Sequence, residues 1–598
     1  MVLRIANCSG FYGDRLSAAR EMVEGGPIDV LTGDWLAELT MLILAGNRSK
    51  GRPGYAPTFV KQMEQVLGTC LERGIKVVSN AGGLDPEGCA AAVENLGLGA
   101  KVAYVTGDDV TGHDLDLVNL DTGEKLAEPV LTANAYLGAL PIAAALSAGA
   151  DVVVTGRVTD AALVTGPGIW HYGWRPGDLD ALAGSVVAGH VIECGCQATG
   201  GNYAFLHEVP DLAHCGFPLV ELHEDGSSVI TKHPGTGGTV SVGTVTAQLL
   251  YEIGAPRYLG PDVVARFDTV QLAQEGPDRV RVSGVKGEPP PGTLKVAVNY
   301  LAGYRNTMTL VLTGLDLEDK ARVAQEAIWA RVPRESFESV DVSFDPPLLR
   351  ITVMDRDPRR VGRAFSSAVV ETGLASYPGF YGLTPPGDAT PYGVYWPTLV
   401  PAAEVRPRVF VGGEEVELPP GDGPPPAVDT PADTPLTADT PADPPLTADT
   451  PADTPLTADS PAGRPTAAGA RTEAGPSRWD GGGRPTVAAP LGRVAGARSG
   501  DKGGNANLGV WVRTPEEYRW LAETLTVERL GALLPALRDH PIERYELPNL
   551  NALNFVVHGL LGRGVAASTR LDPQAKALGE ELRAQVVEIP DSFLRAHR

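Results

Sequence analysis

Basic charge is what this chain has least of: its 598 residues carry 50 Lys and Arg against 73 Asp and Glu, a formal net charge of −23 at pH 7. A nucleic-acid binder needs a basic footprint, so no nucleic-acid partner is expected. Eleven of the acids, with no Lys or Arg among them, fall between Glu414 and Asp459, which leaves −12 on the remainder. Long apolar runs are missing too. LPIAAALSAGADVVV (140–154) is interrupted by Ser, Gly and Asp before it reaches the length of a membrane span, so no membrane partner is expected. MVLRIANCSG turns polar within a few residues and reads as a first strand, not a secretion signal, and a cytoplasmic location follows as the expectation. The six cysteines (8, 70, 89, 194, 196 and 215) form neither a disulfide framework nor paired CxxC knuckles, and reduced, mostly buried thiols are predicted. No strand-to-helix turn matches GxGxxG or GxxxxGK(S/T), so there is no nicotinamide or P-loop signature and the cofactor stays unassigned.

What is present is the balance of a folded chain, 43% hydrophobic and 21% charged, long enough for about three to four domains. The sharpest boundary is compositional. DTPADTPLTA, DTPADPPLTA and DTPADTPLTA follow one another over 429–458, inside a Pro/Asp-rich stretch taken as 411–486. Such a repeat cannot bury enough apolar surface to offset its ordering entropy, so it reads as a disordered linker. It separates an N-terminal region (1–410, with a subdivision near 205–215) from a C-terminal module (487–598).

Over the first 200 residues short apolar runs recur, LRIAN (3–7), IDVLT (28–32), IKVVSN (75–80), KVAYVT (101–106) and DVVVTG (151–156), separated by helix-like stretches. GLDPEGCAAAVENL has Asp85 as N-cap and Pro86 at the first helical position. The expected fold is α/β: a mainly parallel, Rossmann-like sheet covered on both faces, extended over 215–410 by α+β structure with more antiparallel pairing. The C-terminal module reads as a small ferredoxin-like α/β sandwich.

Ligands of open parallel sheets bind beyond the carboxyl ends of the strands, which ranks the turns. The first carries Gly10, Gly13 and Asp14, the second Asp34, the third Asn80, Gly82 and Gly83, and a later one Arg157 and Asp160. Glycine allows close backbone approach, and Arg157 suits a carboxylate or phosphate. Capping and turn formation explain any one of these turns alone; four on one edge favour a cleft. Asp34 and Glu38 stand at i and i+4, a pair able to share a metal or a proton; such a pair is more often a solvated face, though the flanking Trp35 and Leu39 point to partial burial. The acid-dense GDDVTGHDLDL (107–117) reads as a solvated loop.

AGHVIECGCQATGG (188–201) is the densest stretch of functional groups. Helical spacing puts His190, Glu193 and Cys194 on one face, followed by a turn with Cys196, Gln197, Gly200, Gly201 and Asn202. One His, one Glu and one Cys leave a zinc sphere incomplete, and no metal is assigned. A general acid/base pair of Glu193 with His190, beside a glycine turn, is the preferred reading; a buried, satisfied pair fits the spacing equally well. In the C-terminal module ARSGDKGGNANLG (497–509) reads as a polar loop whose Ser499, Asp501, Lys502, Asn505 and Asn507 suit a phosphate or carboxylate.

NCSGFYGDR, LTGDWLAELTM, NAGGLDPEGCA, GADVVVTGRVTDAALVTGP, AGHVIECGCQATGGNYA and RSGDKGGNANLGVW resemble motifs of the acyclic terpene utilisation (AtuA) family, over nearly the whole chain apart from the linker. The resemblance implies a large N-terminal domain, a ferredoxin-fold domain, and a role in degrading acyclic terpenoids through acyl-CoA intermediates. Two features depart from the pattern: Cys196, where similar proteins carry a small residue, and the long repeat linker. Taken with the residues, the resemblance leads to an expected enzyme on a small branched acyl-CoA or carboxylate, working by a hydratase- or lyase-type proton transfer. Coenzyme A would enter only as part of the substrate. Glu193 and His190 would move protons, and the glycine turns would steady an enolate. Arg157 or Lys502 would hold a distal charge, with Asp14 and Asp34 as further candidates. The alternatives are a non-catalytic binding or scaffolding subunit of a degradative complex and a hydrolase using Cys194. Expected partners are a small-molecule substrate, with a homo-oligomer or association with acyl-CoA-processing enzymes.

Overall fold

Five short strands run in parallel at the centre of the molecule, in the spatial order Leu3–Asn7, Val30–Gly33, Lys76–Ser79, Val152–Thr155, Val102–Thr106. All four residues of both Val30–Gly33 and Val152–Thr155 are buried, as strands covered on both faces require. One covering core is built on Met22, Phe59, Met63 and Val93, the other on Ile142, Leu163, Val187 and Val191. Asp85 does cap the helix Pro86–Glu94, accepting from the Gly88 amide at 3.0 Å. The computed structural model describes residues 2–36, 38–383, 385–418 and 485–597, with the side chain of Glu38 outside that description, so the Asp34–Glu38 pairing lies outside the described residues.

The sheet is mixed, not mainly parallel. Beyond Leu3–Asn7 the strands Pro218–Leu222, Ser228–Lys232, Arg279–Ser283 and Gln271–Gly276 add antiparallel, and beyond Val102–Thr106 so do Arg408–Val411 and Glu414–Val416, making eleven strands. The reason is local. Pro218–Leu222 and Ser228–Lys232 are joined by a short turn with Gly226 at φ 81°, and a connection that short can only reverse direction. Residues 205–215 form two short 3-10 turns, Leu206–Glu208 and Leu212–His214, between strands Val152–Thr155 and Pro218–Leu222 of this sheet. Glu414–Val416, assigned to the linker from composition, pairs with Arg408–Val411. The rest of the linker, including the repeat, lies outside the described residues.

A second, antiparallel sheet is organised by the 19-residue strand Thr293–Val311, which pairs with Thr390–Pro401, Leu348–Asp355 and Thr132–Ala135, in line with the α+β extension. In the C-terminal module a four-stranded antiparallel sheet has the order Gly496–Lys502, Asn505–Trp511, Ala552–Val557, Ile542–Leu547. Its first two strands leave only Gly503, at φ 64°, and Gly504 between them. The stretch 497–509 is thus a tight hairpin, not the polar loop expected: two glycines suffice for the reversal, and the polar residues alternate along the strands. No helix among the described residues is long and apolar enough to cross a membrane. All six cysteines are free thiols.

Candidate active site

The helix Leu179–Ile192 is mostly apolar and buried from Leu182 onward, and in its last turn His190 is 1% exposed. Glu193 follows as C-cap and Gly195, at φ 58°, turns the chain in a conformation that favours glycine. Asn7, at the end of the first strand, donates to the Ile192 and Glu193 carbonyls at 2.6 and 2.9 Å and fixes this helix end against the sheet. Gly10 completes the fit: a Cβ there would stand 2.7 Å from the Cys194 carbonyl carbon.

This geometry places His190 and Glu193 at the carboxyl edge of the parallel strands, with His190 Nδ1 3.1 Å from Glu193 Oε1. Three further carboxylates converge there. A ring nitrogen of His190 and one carboxylate oxygen each of Glu193 and Glu252 lie within 4.8 Å of one another, and so do one carboxylate oxygen each of Asp34, Asp160 and Glu193. Asp34 Oδ1 accepts from Asn80 Nδ2 at 2.6 Å and from the Leu36 amide at 2.8 Å. Asp160 Oδ1 accepts from Arg157 Nη2 at 2.8 Å. The guanidinium of Arg157 is itself buried beneath the Tyr136 ring, 4.1 Å from its centroid, and also donates to the Leu36 carbonyl.

Burial on this scale changes proton affinities. Desolvation, then the Glu252, Asp160 and Asp34 carboxylates, raise Glu193 well above the ordinary carboxyl range. Desolvation and Asp160 push Asp34 up to about 8, although Arg157 and Asn80 oppose the shift. The same burial lowers the His190 pKa. Both shifts disfavour a charge on the buried pair. His190 Nε2 and Glu193 Oε2 have no hydrogen-bond partner among the described residues. Buried polar atoms are rarely left so, and these two are free to meet a ligand.

A cavity of about 330 Å³ adjoins the cluster. Tyr136, Thr159 and Tyr258 belong to its wall, and the Tyr258 ring packs edge-on to His190 at 4.4 Å. Leu259, Leu294 and Leu399 make the rest mainly apolar, with Lys295 the only basic side chain in the lining. Neither this cavity nor a larger open groove of about 800 Å³, between the second sheet and the C-terminal module, is lined by His190 or the clustered acids; the smaller cavity neighbours them through Tyr136, Thr159 and Tyr258.

The predicted residues thus separate. The structure brings together His190, Glu193, Asp34, Asn80, Arg157 and Asp160. Asp14 lies to one side, accepting from the Gly10 amide at 3.0 Å and standing beside Gly195. Gly13 packs under Phe11, Gly82 against the Thr155 carbonyl and Pro86, and Gly83 against Leu44 and the Gly54 carbonyl. Gly200 packs on Val209 and Gly201 on the Cys196 carbonyl. Cys194 donates to Glu252 Oε1 at 3.2 Å, and burial with two neighbouring carboxylates pushes its thiol pKa well up, conditions that oppose a thiolate nucleophile. Of the 107–117 acids, Asp108 alone is buried; it accepts from Asn134 Nδ2 and the Arg157 amide.

In the hairpin of the C-terminal module Asn507, Asn505 and Arg498 reach across to the N-terminal part, while Ser499 bonds within the module. Asn507 Nδ2 lies 2.7, 3.1 and 3.2 Å from the carbonyls of Leu250, Tyr251 and Ile253, at the end of the helix Val242–Glu252. Asn505 donates to Asp121, Ser499 accepts from the Gly579 amide, and Arg498 donates to the Asn202 carbonyl and to Gln197. Lys502 alone of the hairpin's cations reaches the acids, its Nζ 3.9 Å from Glu252 Oε2, with Asp501 beside it.

Sequence reasoning missed Glu252, Gln248, Tyr258 and Tyr136. A signal for the first two existed: Gln248 and Glu252 stand at i and i+4 in the otherwise apolar TVTAQLLYEI, and Gln248 Nε2 donates to Glu252 Oε1 at 2.9 Å.

With that geometry in place, comparison with known proteins is informative. The profile of the acyclic terpene utilisation family protein AtuA matches residues 3–411, and that of the AtuA ferredoxin-like domain matches 489–588. The chain belongs to this family. No curated protein and no solved structure matches it.

Proposed function

We propose that this member of the acyclic terpene utilisation family is an enzyme that adds water to, or removes it from, a small branched acyl or carboxylate substrate, such as an acyl-CoA. The observation that carries the reading is the buried His190–Glu193 pair with two unpartnered polar atoms, next to a mainly apolar cavity of about 330 Å³. An apolar acyclic chain suits that lining, and its polar end would lie towards Tyr136 and Lys295.

Hydration of a double bond conjugated to a carbonyl needs one group that takes a proton from water as the oxygen bonds carbon. The same proton, or one held beside it, must then reach the neighbouring carbon. Neutral His190 accepts at Nε2 and returns the proton, so the enzyme ends as it began. Glu193 holds Nδ1, sets the tautomer and stabilises the imidazolium while it exists. The low-dielectric surroundings strengthen both interactions.

The test is mass spectrometry of branched, unsaturated acyl-CoAs and free acids incubated with the full chain in deuterated water. Enzyme-dependent gain of water or of deuterium, lost in Glu193→Gln and His190→Ala, is the expected result. No change in any substrate would contradict the proposal and favour the scaffolding role.

A further inference from the structure

We propose that Asp34, Asp160 and Glu193 form a binding site for one divalent cation of the Mg²⁺/Mn²⁺ class. Their carboxylate oxygens lie within 4.8 Å of one another, a spread that one hexacoordinate ion can bridge. Each acid comes from a different part of the fold: the second strand's turn, the turn after Val152–Thr155, and the end of the helix Leu179–Ile192. Asp34 is held by Asn80 and Asp160 by Arg157, both through Oδ1, and Glu193 meets His190 through Oε1. Glu193 is 7% exposed, yet its Oε2 has no hydrogen-bond partner among the described residues. An orphaned carboxylate oxygen, buried within a triad of acids, is what a cation would satisfy.

Charge selects this triad over the neighbouring one. Deprotonated, as a bound cation would hold them, three carboxylates against the Arg157 guanidinium carry a formal −2, which one divalent ion neutralises while the protons that burial favours are released. In the His190–Glu193–Glu252 group, Glu252 Oε1 already accepts from Gln248 and Cys194, and Lys502 stands 3.9 Å from Oε2. That group would repel a cation more and offer it less. A donor set of three carboxylates, without thiolate or imidazole, favours a hard ion that keeps several waters. His190 then remains outside the coordination shell, orienting Glu193 from behind.

The proposal is independent of the proton-transfer reading, because it is tested by binding alone. The full chain, treated with chelator and desalted, is titrated with Mn²⁺ at pH 7.5 while the electron paramagnetic resonance signal of free Mn²⁺ is followed. One saturable Mn²⁺ per chain, displaced by Mg²⁺, is expected. Asp34→Asn and Asp160→Asn should each weaken it by roughly 10- to 100-fold, whereas Glu252→Gln should change it by less than about threefold. Circular dichroism of each variant confirms folding, and calorimetric Mn²⁺ titration of Glu193→Gln provides a further variant of the same triad. Absence of saturable uptake by the wild type, or uptake lost in Glu252→Gln but kept in Asp34→Asn, would overturn the assignment.

Discussion

The carboxyl edge of the parallel strands and the hairpin Gly496–Trp511 look alike as sequence, both dense in Gly, Asn, Asp and Ser, but the fold uses them differently. In the hairpin the polar side chains are mostly engaged in protein contacts, Asn507 Oδ1 excepted: Asn507 Nδ2 closes the end of the helix Val242–Glu252, Asn505 reaches Asp121, and Ser499 meets Gly579. At the strand edge, buried groups of one sign are packed together, and His190 Nε2 and Glu193 Oε2 are left unpartnered. Satisfied polar density holds a structure together, whereas unsatisfied polar density is costly to bury and points to a ligand.

Breaking the comparison at the edge should have the largest effect. Glu193→Gln is expected to reduce turnover roughly a thousandfold, within the range for losing a proton-handling group, while thermal stability holds or rises because a repelling acid is gone. Steady-state kinetics and thermal denaturation read the two quantities. Next comes Asp108, which burial pushes up to about 6, above the ordinary carboxyl range. Its carboxyl binds a proton more tightly when folded, so its contribution falls as pH rises from about 4 through about 6 and is level above. The difference is about 3 kcal/mol. In Asp108→Asn that slope should vanish, and urea unfolding at pH 4 and pH 7.5 measures it.

On the hairpin side, Asn507→Ala leaves buried carbonyls of the helix end without a donor and should cost about 2 kcal/mol, seen as a lower urea midpoint without the loss of turnover that marks the edge. Smallest is Lys502→Met. An ion pair at 3.9 Å with a part-exposed lysine is worth less than about 1 kcal/mol, so its urea midpoint should barely move.

Much of the site was legible because one rule places it: Asp34, Asn80, Arg157 and Asp160 each follow a short apolar run, and the carboxyl ends of parallel strands share an edge. His190 and Glu193 were legible as a helical pair. Their surroundings were not, since Glu252 arrives from a helix some 60 residues on and Tyr258 from the strand after it. Antiparallel pairing over 215–410 was legible; that those strands would extend the parallel sheet itself was not. Apolar runs such as PLVEL do not encode whether they pair parallel or antiparallel; the brevity of the turn at Gly226 does. The strand–loop–strand order of GRVAGARSGDKGGNANLGVWV was legible, but the loop was drawn too long, because glycine and asparagine serve a two-residue reversal as well as a binding loop.

Deuterium uptake from deuterated water into a branched unsaturated acyl-CoA, followed side by side in wild type, Glu193→Gln and Asn505→Ala, tests the central claim most directly. The account predicts uptake by the wild type and Asn505→Ala and none by Glu193→Gln. Uptake that survives in Glu193→Gln but disappears in Asn505→Ala would place the chemistry in the hairpin and contradict it.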